Sequence, residues 1–167
     1  MRTSIEINLK PVSHEIDKAG EKSGDFLKSH GFSDDAIHAQ IMILRELIHN
    51  GIRYGKFTPS ENKITAHIHI AENTITFEVK NPVDETCFEG LKELDKTIQF
   101  IRGYQDPFEA YRVKQKEASQ NSTCSETNGL GLARIACEGR AILDFFVSED
   151  NILNLYAVKN LDDNFKN

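Results

Sequence analysis

ILRELIHNGIRYG, residues 43–55, reads as a strongly apolar helix that nevertheless carries Glu46, Asn50 and Arg53 at near-helical intervals. Residues four apart on a helix share a face, so Glu46 and Asn50 would stand together, with Arg53 one turn further on. Either they form the wet edge of an ordinary amphipathic helix or they line a site. The Glu-x-x-x-Asn spacing alone favours the wet edge, because it is common.

Outward from that stretch, the helix start is well marked. Ser33 can cap free amides, Asp34 and Asp35 suit the positive end of the helix dipole, and Phe32 can staple to Ile37. The pattern predicts a helix to about Tyr54, with Gly55 just beyond it. Ile37, Ile41, Leu44, Ile48 and Ile52 lie along one stripe, as on a helix packed against a sheet. ITAHIHIA and TITFEVK then alternate apolar and polar residues around Ala71–Glu72–Asn73, as a β-hairpin does.

Upstream, SIEINLK (4–10) alternates as a strand, and HEIDKAGEKSGDFLKSH has helical spacing closed by Gly31. Downstream, Asn81-Pro82 ends a strand, since proline cannot continue a central ladder. FEGLKELDKTIQFIRG and PFEAYRVKQKEA are two helical stretches broken at Asp106-Pro107, and residues 119–128 form a polar loop. GLGLARIACEG opens with glycines and turns helical; AILDFFVS and ILNLYAVK follow as strands around a turn at Glu149–Asp150–Asn151. The order β-α-α-β-β-α-α-loop-α-β-β implies a two-layer α/β (α+β) sandwich, a mixed, mainly antiparallel sheet covered on one face by helices. A single domain over residues 1–167 is expected.

Composition narrows the function classes. Apolar residues are 39% and charged residues 28%, a globular balance. A net charge of −6 argues against a sequence-independent nucleic-acid binder, which needs a basic face. No segment has the length or apolarity to span a bilayer, and no signal peptide is legible. Cys87, Cys124 and Cys137 are odd in number and widely spaced, which suggests neither a disulfide framework nor a zinc site. A cytoplasmic protein with reduced thiols is expected.

A second element bears on the Glu46 question. Asn128-Gly129-Leu130-Gly131-Leu132 follows the polar loop and starts a helix, where glycines let backbone amides approach an anion. Alone, GLGL is equally a tight turn before a helix; it is neither a Walker A motif nor a dinucleotide fingerprint. Together, RELIHNGIRYG and NGLGLARIACEG resemble the N-box and second glycine box of the GHKL ATP-binding fold, shared by gyrase-type ATPases and histidine kinases. The resemblance spans residues 33 to 159. It implies that Glu46 orients or deprotonates the attacking group and that Asn50 holds magnesium. It also implies that Gly129 and Gly131, within Asn128–Leu132, sit beneath the phosphates of ATP, with Arg53 reaching a phosphate and residues 103–128 forming a lid.

The chain departs from the family at the first glycine box. The family's strand ends in Asp-x-Gly-x-Gly, whose aspartate accepts a hydrogen bond from the adenine amino group; here it ends VKNPVDE. Asn81 stands at the aspartate's place, with Asp84 as an alternative acceptor. That departure resembles small stand-alone bacterial kinases related to anti-sigma-factor serine/threonine kinases of partner-switching systems. The resemblance implies ATP and Mg2+ as cofactors and a small anti-anti-sigma-like protein as substrate. A sigma factor or other effector and a second copy of the chain are further partners it suggests. A nucleotide-free adaptor that sequesters a regulator is the alternative.

Other features are read structurally. Ser13-His14-Glu15-Ile16 imitates a phosphoacceptor box but lacks the usual continuation, and His14 lies only 36 residues before Asn50. His67 and His69 share a strand face without a third metal ligand, His49 is expected to be structural, and Lys114 and Lys116 are expected on a solvated helix.

Overall fold

The computed structural model describes residues 3–120 and 129–161. Five strands, β1 (Ser4–Leu9), β2 (Ile64–Ile70), β3 (Thr74–Pro82), β4 (Ile142–Val147) and β5 (Ile152–Asn160), form one sheet in the order β1-β2-β3-β5-β4. All four pairings are antiparallel, so the sheet is antiparallel throughout rather than mixed. Five helices accompany it: α1 (Ser13–Ser29), α2 (Asp34–Tyr54), α3 (Phe88–Arg102), α4 (Pro107–Gln120) and α5 (Leu130–Cys137). A 3-10 turn, Glu85–Cys87, precedes α3.

Alternation in sequence becomes two unlike sheet faces. Ile64, Ala66 and Ile68 of β2 and Ile75, Phe77 and Val79 of β3 are all buried, and with Leu153, Leu155 and Ala157 of β5 they meet the helices. On the other face Glu6, His67 and Glu78 stand opposite one another across three strands. His67 is 2.7 Å from Glu6 and 3.5 Å from Glu78, which places this histidine in a surface polar row rather than a metal site. The hydrogen bond from His67 holds the Glu6 carboxyl below its ordinary range.

The helix ends follow their local chemistry. α1 closes with Gly31 at φ +81°, and the amides of Gly31 and Phe32 return to Lys28 and Leu27 carbonyls at 3.0 and 3.2 Å. The Ser33 hydroxyl accepts from the Ala36 amide at 3.3 Å, and Phe32 and Ile37 are both buried, as a capped and stapled start requires. The buried stripe of α2 is rotated from the one the spacing suggested. Ile43, Leu44, Leu47, Ile48, Gly51 and Tyr54 form its centre, while Ile41 and Ile52 are only half-buried. The physical reason is a second neighbour: α2 packs on α1 as well as the sheet, and Ile41 serves that side, against Gly24. α4 extends through Ser119 and Gln120, two residues into the stretch expected to be loop; the rest of that stretch, 121–128, lies outside the described residues. Among the described residues no helix is long and apolar enough to cross a membrane.

Candidate functional site

Helix α2 carries Glu46 and Asn50 along the margin of its buried face, where α5 packs against it. Asn50 donates from Nδ2 to the Glu46 backbone carbonyl at 2.7 Å, and its amide oxygen is the end that can serve as a hard ligand. α5 begins at Gly129, φ +81°, a left-handed conformation that glycine adopts without Cβ strain. A Cβ there would also overlap Thr97 and come within 3.6 Å of the Lys114 Cε. At Gly131 a Cβ would run into the Glu46 carboxylate and lie 3.7 Å from Asn50 Nδ2. The two sequence elements, 82 positions apart at Asn50 and Leu132, therefore meet at one place.

Charge around that place comes from α5 and α4. Arg134 reaches Glu46 Oε1 at 3.5 Å through Nη1 and Glu138 Oε2 at 2.8 Å through Nε. Its pKa is raised, first by the Glu138 hydrogen bond and then by the neighbouring carboxylates, with burial opposing. Lys114 is not on a solvated face as expected. Its side chain is 13% exposed, its ammonium sits 4.8 Å above the Phe100 ring, and it bonds Glu117 at 2.9 Å. The available signal was Ala110, fully buried one turn earlier on the same face of α4.

Beside the next turn of α2, against Gly51, stands Asn81, on β3 and 1% exposed. Its Nδ2 donates to the Pro82 carbonyl at 3.3 Å, while its Oδ1 has no hydrogen-bond partner among the described residues. Gly51 and Gly55 give it room: a Cβ on Gly51 would be 2.8 Å from Oδ1, and one on Gly55 would overlap Nδ2. An unsatisfied buried acceptor costs about 1–3 kcal/mol, a cost that a donor on a ligand would offset.

The remaining expected residues fall elsewhere. Asp84 caps the 3-10 turn, accepting from the Thr86 amide at 2.9 Å and from the Thr86 hydroxyl. Its pKa is lowered chiefly by that hydroxyl. Arg53 is exposed, with its guanidinium 5.4 Å from the Tyr54 ring centre. Leu130 is half-buried and Leu132 fully buried, so the leucines anchor α5 while the glycines face the site. Asn128 lies outside the described residues. His49, expected to be structural, is exposed, because its position on α2 points away from both the sheet and α5.

Chemically, Glu46 and Asn50 offer one carboxylate and one amide oxygen, and no group of three or more acidic, histidine or cysteine ligands exists among the described residues. A magnesium ion held there would draw its other ligands from water and a phosphate, its usual habit. One carboxylate and one amide oxygen are hard donors that fit such a cation.

No protein-family model matches the chain, and no curated protein matches it. Among solved structures, a chain of the crystal structure of the SiaB-SiaC complex from Pseudomonas aeruginosa superposes with a TM-score of 0.71. That match is 21% identical and covers 93% of this chain and 88% of the other. The chain shares its fold with that protein from end to end of the described sandwich.

Proposed function

We propose that this chain is a magnesium- and ATP-dependent protein kinase of the GHKL type that phosphorylates a serine or threonine on a small regulatory partner. The observation that carries the reading is Gly131 seated against Glu46 and Asn50, which joins the two family-like boxes at one point. A protein of the same fold occurs in a two-protein complex, which supports a protein as the partner. The orphaned Asn81 oxygen supports a ligand donor such as an adenine amino group beside the C-terminal end of α2.

In this reading Asn50 and the phosphates hold magnesium, which when bound neutralises charge developing on the transferred group. Glu46 accepts the proton of the partner's hydroxyl as that oxygen attacks the γ-phosphorus; the new O–P bond forms, the bridge to the β-phosphate breaks, and ADP departs. In the same reading the amides at the start of α5 and Lys114 bind phosphate oxygens. Positioning and neutralisation are most of what phosphoryl transfer needs, so this small set suffices.

A second reading, a nucleotide-free adaptor, draws on the glycine-free turn after Asn81 and on Asp84 being engaged with Thr86. Calorimetric titration with ATP, with and without magnesium, on wild type and Asn50→Ala separates the two. Magnesium-dependent binding that is lost in Asn50→Ala is the expected result. No binding at millimolar nucleotide by the folded wild type would sink the kinase and leave the adaptor. In a binding-competent chain, Glu46→Ala should keep nucleotide affinity and abolish transfer.

A further inference from the structure

We infer that Arg134 positions the Glu46 carboxylate for its reaction, and that Glu138, with Tyr111 behind it, holds Arg134 to that task; the inference rests on the kinase reading. On sequence alone Arg134 and Glu138 are an unremarked i,i+4 pair on a helix surface, of the kind that contributes a few tenths of a kcal/mol. In the fold the pair has a third member. Arg134 is three residues beyond Gly131, on the same side of α5, so both are presented to Glu46. Gly131 supplies space for the carboxylate and Arg134 supplies a charge beside it, with Nη1 3.5 Å from Oε1.

The guanidinium is divided unequally. Its shorter bond, 2.8 Å from Nε, goes to Glu138, and its longer one goes to Glu46. Glu138 therefore fixes where the fork points, and Glu46 feels the fork without being locked by it. Glu138 is in turn held by the Tyr111 hydroxyl, which donates at 3.2 Å from α4. Burial, then the neighbouring Glu138, raises the pKa of that phenol, so it stays a donor at neutral pH. The chain Tyr111–Glu138–Arg134–Glu46 thus runs from the helix preceding residues 121–128, across α5, to α2. A planar fork with several donors can serve two carboxylates at fixed angles; a lysine ammonium in its place keeps the charge and loses the geometry.

Arg134 is 43% exposed, so its ion pairs add little to stability and a catalytic effect is separable from a folding one. The test uses the full chain with water as the acceptor, so that no partner is needed. Phosphate release from saturating Mg-ATP, Mg-ATP affinity by calorimetry, and thermal midpoint are measured for wild type, Arg134→Met, Arg134→Lys and Glu138→Gln. Arg134→Met should lower turnover about 10- to 100-fold, the scale set by misplacing a reacting group, while affinity stays within about threefold. Arg134→Lys should recover part of the rate, and Glu138→Gln should fall between wild type and Arg134→Met, with all midpoints near wild type. Turnover in Arg134→Met equal to wild type, a loss confined to affinity, or binding without any wild-type turnover overturns the inference alone. Failure of the wild type to bind Mg-ATP takes the kinase reading down with it. Should Arg134→Met not fold, Glu138→Gln decides by the same criteria.

Discussion

Helix α2 relies on glycine at two neighbouring contacts in the C-terminal half of its inner side, one with α5 and one with β3, but the glycines belong to opposite partners. Where it meets α5, the glycine (Gly131) is on α5 and the polar group it accommodates (Glu46) is on α2. Where it meets β3, the glycines (Gly51, Gly55) are at the C-terminal end of α2 and the polar group they accommodate (Asn81) is on the strand. The groups differ as their surroundings require. The Glu46 side chain keeps 24% of its exposure and a guanidinium neighbour, whereas Asn81 is buried to 1%. An ionised carboxylate cannot be taken out of water without a partner, but an amide can be buried with one acceptor waiting. The first arrangement suits a group that must handle charge, the second a group that recognises one donor.

The same substitution at the two contacts should therefore give opposite outcomes, and the larger is at the β3 contact. In Gly55→Ala the new methyl would overlap Asn81 Nδ2, lie 2.6 Å from the Gly51 carbonyl and 2.9 Å from Phe57. Backbone on one side leaves no easy relief, so stability should drop by about 3 kcal/mol in denaturant titration. In Gly131→Ala the neighbour is the far end of Glu46, which can swing aside, and alanine favours a helix interior. Stability should change by less than about 1 kcal/mol, while Mg-ATP turnover falls about 100-fold because Glu46 is displaced. A Gly131→Ala protein that turns over normally would break the comparison at the α5 contact.

Asn81→Asp sharpens the other contact. A carboxylate at a 1%-exposed site with no donor for its oxygen should be raised in pKa by burial. A raised folded-state pKa means the native state holds its proton longer than the unfolded one. Stability is then spared below the ordinary aspartate value near about 4 and lost as pH rises through the folded pKa. The variant should lose about 2 kcal/mol at pH 8 and much less at about pH 4, read from denaturant midpoints. If Asn81 faces an adenine amino group, Mg-ATP should restore more stability to this variant than to wild type. A pH-independent loss would mean that water reaches residue 81 and that the two contacts of α2 are not so different.

Much of this was legible in the sequence, for identifiable reasons. Element order and strand faces follow from period-two alternation in β2 and β3, and the α2 start from Ser33 and its acidic neighbours, all local signals. The exact α2 stripe was not legible, because Ile41 answers to α1, whose placement is tertiary. Glu46, Asn50 and the α5 glycines could be nominated from spacing, but that Gly131 touches Glu46 depends on how α5 docks. Lys114 was set down as a solvated charge, and Arg134 was not singled out, for the same reason: each has a near helical neighbour, Glu117 or Glu138, that explains it adequately until a distant element arrives. Asn81 was nominated for its carbonyl; that Oδ1 would be buried without a partner is set by Gly51 and Gly55, which no strand pattern announces.

The smallest expected effect concerns which acceptor serves the β3 contact, Asn81 or Asp84. The Asp84 carboxylate is held below its ordinary range first by the Thr86 hydroxyl and further by the Thr86 amide and the charge of Lys56, against some desolvation. A depressed pKa contributes stability that is present above the ordinary aspartate value and is lost as pH falls through the folded one. Thr86→Val removes the hydroxyl and keeps the amide, so the Asp84 pKa should rise part of the way toward normal in a carbon-13 NMR titration. Because Asp84 is a partly exposed surface residue, nothing measurable is expected in the thermal midpoint at neutral pH. Freed from Thr86, Asp84 would be a better acceptor for any ligand near it. Mg-ATP affinity within about twofold of wild type is expected, since on the present assignment the base faces Asn81. A tenfold gain, about 1.4 kcal/mol, would instead place Asp84 against the base. The buried Asn81 amide would then be a packing feature between β3 and α2, and only the contact of α2 with α5 would carry the proposed function.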